Sequence, residues 1–483
     1  MIDYLLKHAE GRPVSWHMPG HKGADVFRKY GFGEFLDRFA DCDITEIPGA
    51  DNLFQSEGII RDVQERYARA YGVDRSYMLV NGSSGGILAA MMAAVPNGGR
   101  IIMARNCHKS VFNGLVLGGI QPVYAYPSVM ENCDISGPIL PAEIERLMDE
   151  NPDAAAVILP SPNYYGICSD IRAIAEVVHS RGKALIVDQA HGAHLKFFHE
   201  YGLGEGMPES AEMAGADITI CSIHKTLASL TQSALLNLQG SRVDRYVLED
   251  KLQAVESSSP SYILMSFLDM ALRILEEHGA EAMGAWKSNI EYFYEKAKEI
   301  PGLRIPDFGE NMDRTKINLD MSACGINGAR LEELLIERDI FSELYSGNIL
   351  MLMSGIGNTR EDCDRTLEAL REIAKEYAAS GAPCAAESGE NAGGNVSAKT
   401  ESDVPRFAPG RLHPIPTRRR FVDLADAEGM VCAASIIPYP PGIPIVCPGE
   451  TITAEVIAHC RTLRARGEKV IGITETGQVQ VGA

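Results

Sequence analysis

Between residues 55 and 240 short apolar runs recur with amphipathic stretches between them, and this alternation leaves few folds open. The runs lie at 77–80, 100–104, 122–126, 155–159, 183–187, 218–221 and 233–238. Strands separated by helices make an α/β unit with a mostly parallel sheet, because parallel neighbours need a crossover between them. Seven strands are expected. The crossover at 170–181 illustrates the reading: Ile171, Ile174, Ala175 and Val178 fall at i, i+3, i+4 and i+7, one face of a helix. In such sheets ligands gather beyond the strand ends.

Around this unit the chain divides into further parts. Residues 1–54 form an N-terminal segment with a short amphipathic piece at Tyr4-Leu5-Leu6 and the run His17-Met18-Pro19-Gly20-His21-Lys22. Pro19 and Gly20 make that run a loop, so the i, i+4 spacing of His17 and His21 does not make a helical metal pair. The large domain is expected at 55–300 and closes with long helices at 242–254 and 262–299. A small α+β domain follows at 301–379, with strands at 315–319 and 349–353 and helices near 328–338 and 360–377. Residues 380–404 are rich in Ala, Gly, Ser, Glu and Asn without apolar periodicity, as a disordered linker would be. A C-terminal α+β domain at 405–483 carries a proline-rich stretch at 438–444, a helix near 451–466 and a strand at 469–474.

Composition narrows the partners. A net charge of -20 disfavours nucleic acid and anionic membrane surfaces and suits ligands that carry positive charge. The 45% hydrophobic content of 483 residues supports several cores, and no apolar run is long enough to cross a bilayer. Eleven cysteines without paired spacing, and no leader pattern at the start, give the expectation of a reduced, cytoplasmic protein.

Two stretches concentrate the chemistry. Val187-Asp188-Gln189-Ala190-His191 and Ser222-Ile223-His224-Lys225-Thr226 each follow an apolar strand, which sets an acid and a lysine at two strand ends. A lysine drawn out of water must be neutralised or used, and a Schiff base uses it. The reading is that Lys225 carries pyridoxal phosphate (PLP) and that Asp188 keeps the ring nitrogen protonated, since a carboxylate favours a nearby cation. The turn Gly82-Ser83-Ser84-Gly85-Gly86, between a strand and a helix, can direct N–H groups and hydroxyls at a phosphate. It is neither a Walker loop nor GxGxxG, and an ordinary capped turn has the same sequence. His108 follows the strand at 100–104 and is read either as a helix-start histidine or as a flat partner for a cofactor ring. His191 and His194 have no third ligand at a convincing spacing, and no metal site is expected.

Taken in order, His-Met-Pro-Gly-His-Lys at 17–22, Asn-Gly-Ser-Ser at 81–84, Arg-Asn-Cys-His-Lys-Ser at 105–110, Val-Asp-Gln-Ala-His at 187–191, Ser-Ile-His-Lys-Thr at 222–226, Ser-Pro-Ser-Tyr at 259–262 and the proline-rich stretch near 440 resemble the bacterial ornithine/lysine/arginine decarboxylases. These are PLP enzymes of the aminotransferase-like fold, type I. The resemblance implies that Lys225 holds the cofactor, Asp188 faces its ring nitrogen and His108 stacks on the ring, with His191 in the position of a second flanking ring. It implies Ser83, Ser84, Gly85, Ser222 and His224 around the phosphate and Thr231 reaching a phosphate across a dimer. Glu343 would meet the distal cation of the substrate. The implied activity is decarboxylation of a dibasic amino acid, lysine, arginine or ornithine, to its amine and CO₂, with polyamine supply as one use. Larger members begin with a receiver-like domain; without it, a homodimer or a dimer-based tetramer is expected. Another PLP reaction on the same fold, transamination or a lyase step, and a silent amine-sensing homologue are the alternatives.

Overall fold

A computed structural model describes residues 1–130, 133, 135–379, 413–438, 442–465 and 469–483. The linker expected at 380–404 and part of the proline-rich stretch, 439–441, lie outside the described residues.

The main sheet has seven strands: β1 (Arg75–Leu79), β2 (Arg100–Ala104), β3 (Gln121–Ala125), β4 (Ala154–Pro160), β5 (Ala184–Asp188), β6 (Ile218–Cys221) and β7 (Ala234–Leu238). Their order is β1-β7-β6-β5-β4-β2-β3, and only β7 runs antiparallel to its neighbours. β5, β6 and β7 are buried at every position, so their near-continuous apolar sequence reflects cover on both faces. One core holds Ile102, Val157, Ile186 and Ile220 with the crossover helices. A second gathers Tyr67, Tyr71, Phe198 and Trp286 on the opposite side.

Helix boundaries depart from the sequence reading where glycine misled it. Gly82 to Gly86 is the first part of helix Gly82–Ala94, not a turn before it. Gly82 takes the left-handed φ of +72° at the entry. At Gly86 a Cβ would collide with Leu79 and crowd Ile220, so glycine lets the helix lie directly on β1 and β6.

The 36-residue helix Tyr262–Ala297 leads from the main sheet to a second, three-stranded antiparallel sheet of Leu344–Ser346, Ile349–Met353 and Lys316–Asp320. The N-terminal segment is stitched into this second unit. Val14–Ser15 pairs in parallel with Ile340–Phe341, and Val14 and Trp16 sit in the core with Phe293, Leu319 and Leu367. Trp16 Nε1 donates to Thr366 Oγ1 at 2.7 Å. Two-residue strands of this kind carry too little periodicity to be read from sequence.

The C-terminal part has its own core around Ile436, Val456, Cys460 and Val481, with Arg419–Asp423 paired antiparallel to Gln478–Gly482. It is fastened to the main sheet by Arg105. That guanidinium lies 5.2 Å from the ring centres of both Phe112 and Tyr124 and donates to the carbonyls of Pro444 (2.6 Å) and Ile445 (2.7 Å). Glu450 completes the joint by accepting from Tyr124 Oη at 2.6 Å and from Cys447 N at 2.7 Å.

Candidate active site

β5 and β6 are parallel neighbours, with Asp188 opposite Ile220 in the register. Asp188 closes β5, and the residues after Cys221 turn at once into the short helix Ile223–Thr226. The two stretches that carry the acid and the lysine therefore emerge side by side at one sheet edge. β2 leaves the sheet on the same edge, and His108, three residues past Arg105, caps helix Lys109–Gly118. Its Nδ1 lies 2.8 Å from Ser110 Oγ and 3.2 Å from Ser110 N. Thus His108 is the helix-start histidine and also faces the edge.

A small cavity there is lined by Ser83, His108, Asp188, His191 and Lys225, together with Pro162 and Tyr164 from the end of β4. Lys225 Nζ lies 2.9 Å from His191 Nε2, and the Tyr164 ring meets the His191 ring edge-on at 5.1 Å. A contact of 2.9 Å requires one of the two nitrogens to present a hydrogen and the other a lone pair. Burial lowers the lysine from its usual value while Asp188 opposes the shift. It raises the Asp188 carboxyl, against the attraction of Lys225. His108 is pulled down to about 3 by burial and then by Lys225, and His191 falls well below the ordinary range for the same reasons, so both imidazoles are neutral at pH 7.

Several polar atoms at this edge have no partner. Asp188 is buried and takes only the Ala190 N–H, at 3.2 Å, and it joins none of the ion pairs among the described residues. His191 Nδ1 and Ser222 Oγ are buried without a hydrogen bond. Burying such groups unpaired costs about 1–3 kcal/mol each, more for a charge, which marks a place made for a polar ligand. A flat heteroaromatic aldehyde with a phosphate suits these groups: an amine, an accepting carboxylate on the sheet edge, a neutral ring and a helix N-terminus with hydroxyls.

The remaining expected residues are distributed around this cavity without lining it. Ser84 is exposed on the first turn of its helix, and Gly85 is buried with its Cα toward Glu256, whose Oε1 would stand 3.1 Å from a Cβ there. Glu256 accepts from Asn81 N at 2.9 Å and Val80 N at 3.2 Å, and burial lifts it to about 7. Ser222 and His224 are buried on the turn before Lys225. His224 Nδ1 lies 2.8 Å from the Ser233 carbonyl, so it carries the hydrogen, and burial draws the ring down to about 4. Its Nε2 then donates only after taking up a proton, which an arriving phosphate dianion would favour. Thr231 is exposed and is not part of the cavity lining. A larger cavity lies at the outer edge of the sheet, lined by Phe54, Arg61, Tyr77, Arg245 and Glu256, and it contains neither Lys225 nor Asp188.

Glu343 lies between Ile340–Phe341 and Leu344–Ser346, and the reason is the loop at 17–22. Its Oε2 accepts from Met18 N at 2.9 Å. Its charge acts on both Lys22 and Lys225. Lys22 Nζ donates to the carbonyls of His17 and of Met353, the latter at 3.2 Å, and burial brings it to about 7 against the pull of Glu343 and Asp362. Gly355 and Gly357, which carry no dinucleotide motif, allow the 17–22 loop to lie against the lysine turn. A Cβ on either would overlap the backbone of Gly20 or His21. Gly20 N donates to His224 O at 2.7 Å, Ile356 N to Thr226 O at 2.9 Å and Gly357 N to Gly20 O at 3.0 Å.

Sequence reasoning missed a second group below the lysine turn. Asp313, Thr315, Lys316 and His194 are all fully buried and hydrogen-bonded to one another. The available signal was Lys316 itself, a lysine at the head of the strand run Lys316-Ile317-Asn318-Leu319. Among the described residues no group of three or more His, Cys, Asp or Glu is arranged to hold a metal ion.

Comparison with known proteins finds relatives along most of the chain. Residues 1–304 match the family described as Orn/Lys/Arg decarboxylase, major domain, and residues 413–477 its C-terminal domain. The arginine decarboxylase of Bacillus subtilis is 33% identical over 472 residues, covering 94% of this chain and 91% of that protein. The arginine decarboxylase of Halalkalibacterium halodurans is 32% identical over 486 residues, covering 97% and 94%. Among solved structures, the constitutive lysine decarboxylase of E. coli superposes with a TM-score of 0.73 at 20% identity, over 100% of this chain and 81% of the other.

Proposed function

The chain belongs to the Orn/Lys/Arg decarboxylase family and is a decarboxylase of dibasic amino acids, and from that premise we propose that Lys225 holds its PLP and that arginine is the preferred substrate. The family implies the cofactor. The observation that carries the assignment to Lys225 is its half-buried amine, 2.9 Å from His191 and close to the buried, under-satisfied Asp188. The preference for arginine rests on the relatives from Bacillus subtilis and Halalkalibacterium halodurans, which are arginine decarboxylases matched over more than 90% of both chains.

Each residue then has a task. Asp188 lies on β5 where its charge can hold a proton on a facing ring nitrogen, and the low dielectric strengthens that interaction. His108 offers a neutral flat face. Ser83 and Ser84, with the N–H groups at the helix start near Gly85, and Ser222 and His224 on the neighbouring turn, surround a phosphate; Thr231 supplies a further hydroxyl to the site of a partner copy. His191 shares a proton with Lys225 Nζ and can return it to carbon or nitrogen nearby. Glu343 receives the distal guanidinium. When bound, the cofactor supplies an electron sink for the pair left by departing CO₂.

The second unit extends at its N-terminal side to take in Val14–Ser15. We read the protein as a homodimer, supported by exposed Ile2, Tyr4, Leu6, Phe39, Ile47 and Ile59, apolar surface that a partner would cover. We place it in the cytoplasm, where its buried free thiols, Cys107, Cys168 and Cys221 among them, stay reduced; no helix among the described residues is long and apolar enough to cross a membrane.

The test incubates the full chain and PLP with arginine, lysine and ornithine separately. Agmatine and CO₂ from arginine, a visible cofactor band in the wild type and no such band in Lys225→Ala are expected. Keto acid in place of amine, or a band unchanged in Lys225→Ala, overturns the reading.

A further inference from the structure

We propose that Asp313 and Lys316 are positioning residues: one buried carboxylate and one buried ammonium of the second unit hold the His191 loop and the Lys225 turn in mutual register. This rests on the reading of Lys225 as the cofactor lysine.

Lys316 opens the strand Lys316–Asp320 and is fully buried, yet all three of its N–H bonds are used. It donates to Asp313 Oδ2 at 2.7 Å, to Thr315 Oγ1 at 3.2 Å and to the backbone carbonyl of His191 at 2.5 Å. Asp313 is equally committed. Its Oδ1 accepts from Thr315 N (3.0 Å) and Thr315 Oγ1 (2.7 Å) and lies 3.2 Å from His194 Nε2. The other nitrogen of His194 lies 3.1 Å from Thr226 Oγ1, the residue after Lys225. The path from Asp313 therefore branches: through Lys316 to the backbone of the residue that touches Lys225, and through His194 to the side chain adjoining it.

A hydrophobic contact could bury the same space, and a buried ion pair is often no more stabilising than apolar residues of equal volume. What an apolar substitute cannot provide is direction. The ammonium fixes the His191 carbonyl, and with it the position of a ring that must stay 2.9 Å from Lys225. Its charge has a second consequence. Lys225 is faced by Asp188 and Glu343, by His108 and His191, and by the positive charge of Lys316, which disfavours the protonated amine. Lys316 thus sets geometry and helps keep Lys225 a nucleophile.

Three full-length variants test this: Lys316→Met, which keeps length and removes charge; Thr226→Val, which cuts only the His194 branch; and Ile317→Val, a neighbouring core change as control. Hydrogen exchange is followed in cofactor-free protein over 189–194 and 223–227, and the PLP-loaded protein is titrated through its visible band. Lys316→Met is expected to speed exchange in both segments about tenfold and to move the spectral midpoint up by about one pH unit. Thr226→Val is expected to speed exchange in 223–227 alone, and Ile317→Val to do neither. If Lys316→Met does not fold, the one-segment response of Thr226→Val decides. Wild-type exchange in both segments in Lys316→Met, or a Thr226→Val no different from Ile317→Val, overturns the proposal. Failure of the wild type to show a visible band, with the exchange pattern as expected, removes the cofactor reading and leaves the positioning device standing.

Discussion

Asp188→Asn is expected to stabilise the cofactor-free protein and to disable the loaded one. The side chain is buried, accepts one N–H at 3.2 Å and forms no ion pair among the described residues. An ionised carboxylate so placed costs several kcal/mol of lost hydration, and attraction to Lys225 returns part of it. Asparagine removes the charge while keeping the shape, so a net gain of about 1–3 kcal/mol remains. The sign with pH follows from linkage. Burial raises this carboxyl in the folded state, so between the ordinary aspartate value of about 4 and the raised one the native protein binds more protons than the unfolded, and wild-type stability falls as pH rises. The advantage of the variant is therefore full above the raised value and vanishes as pH drops to the ordinary range. Melting of both proteins without cofactor at pH 8 and pH 5 should show the variant ahead by about 2–4 °C per kcal/mol at pH 8, with a smaller lead at pH 5. With PLP bound, turnover should fall by about 100-fold or more, roughly 3 kcal/mol of lost stabilisation, while cofactor is retained. A variant that melts below wild type at pH 8, or that turns over within about threefold of it, would refute the reasoning.

Arg105→Met removes two donors from buried carbonyls and a cation between two rings, so the C-terminal part should loosen by about 3–5 kcal/mol. An earlier urea transition and faster proteolysis within 413–483 would register this; a change under about 1 kcal/mol would deny the joint its importance. Glu343→Gln should raise KM for a dibasic amino acid about tenfold or more with a smaller change in kcat, the pattern of lost substrate binding; an equal fall in kcat at constant KM would place Glu343 in the chemistry instead.

The main sheet was legible because each strand is a dense apolar run bounded by turn residues, and burial on both faces preserves that density in β5, β6 and β7. The positions of Asp188 and Lys225 were legible for the same reason, since a polar residue that ends such a run, or follows it within one turn, sits at the sheet edge. Val14–Ser15 and Ile340–Phe341 were not, because two residues have no period and their pairing joins positions 326 apart in sequence, the separation of Val14 and Ile340. Gly85 reads as a phosphate contact in sequence but turns its Cα to Glu256, a partner that only the helix at Arg245–Val255 brings near. Gly355 and Gly357 stand in no motif. Their glycines answer a steric demand from Gly20 and His21, which no local pattern encodes.

Two buried aspartates, Asp188 close to Lys225 and Asp313 behind Lys316 and His194, make the division between scaffold and chemistry concrete. Asp313 accepts from Thr315 N, Thr315 Oγ1 and Lys316 and meets His194, and the interactions with His194 and Lys316 hold it far below the usual carboxylate range despite burial. Asp188, equally enclosed, meets one N–H, and burial raises it. A carboxylate whose lone pairs are filled has nothing left to offer a ligand, and its removal is felt as lost structure. A carboxylate left nearly bare is tolerated only where a cation will arrive, because otherwise a neutral residue would be more stable there. The same contrast separates the histidines: His194 has both nitrogens engaged, whereas His191 has one nitrogen on Lys225 and the other unpartnered. Satisfaction of hydrogen bonds, more than burial or charge, separates Asp313 and His194 from Asp188 and His191.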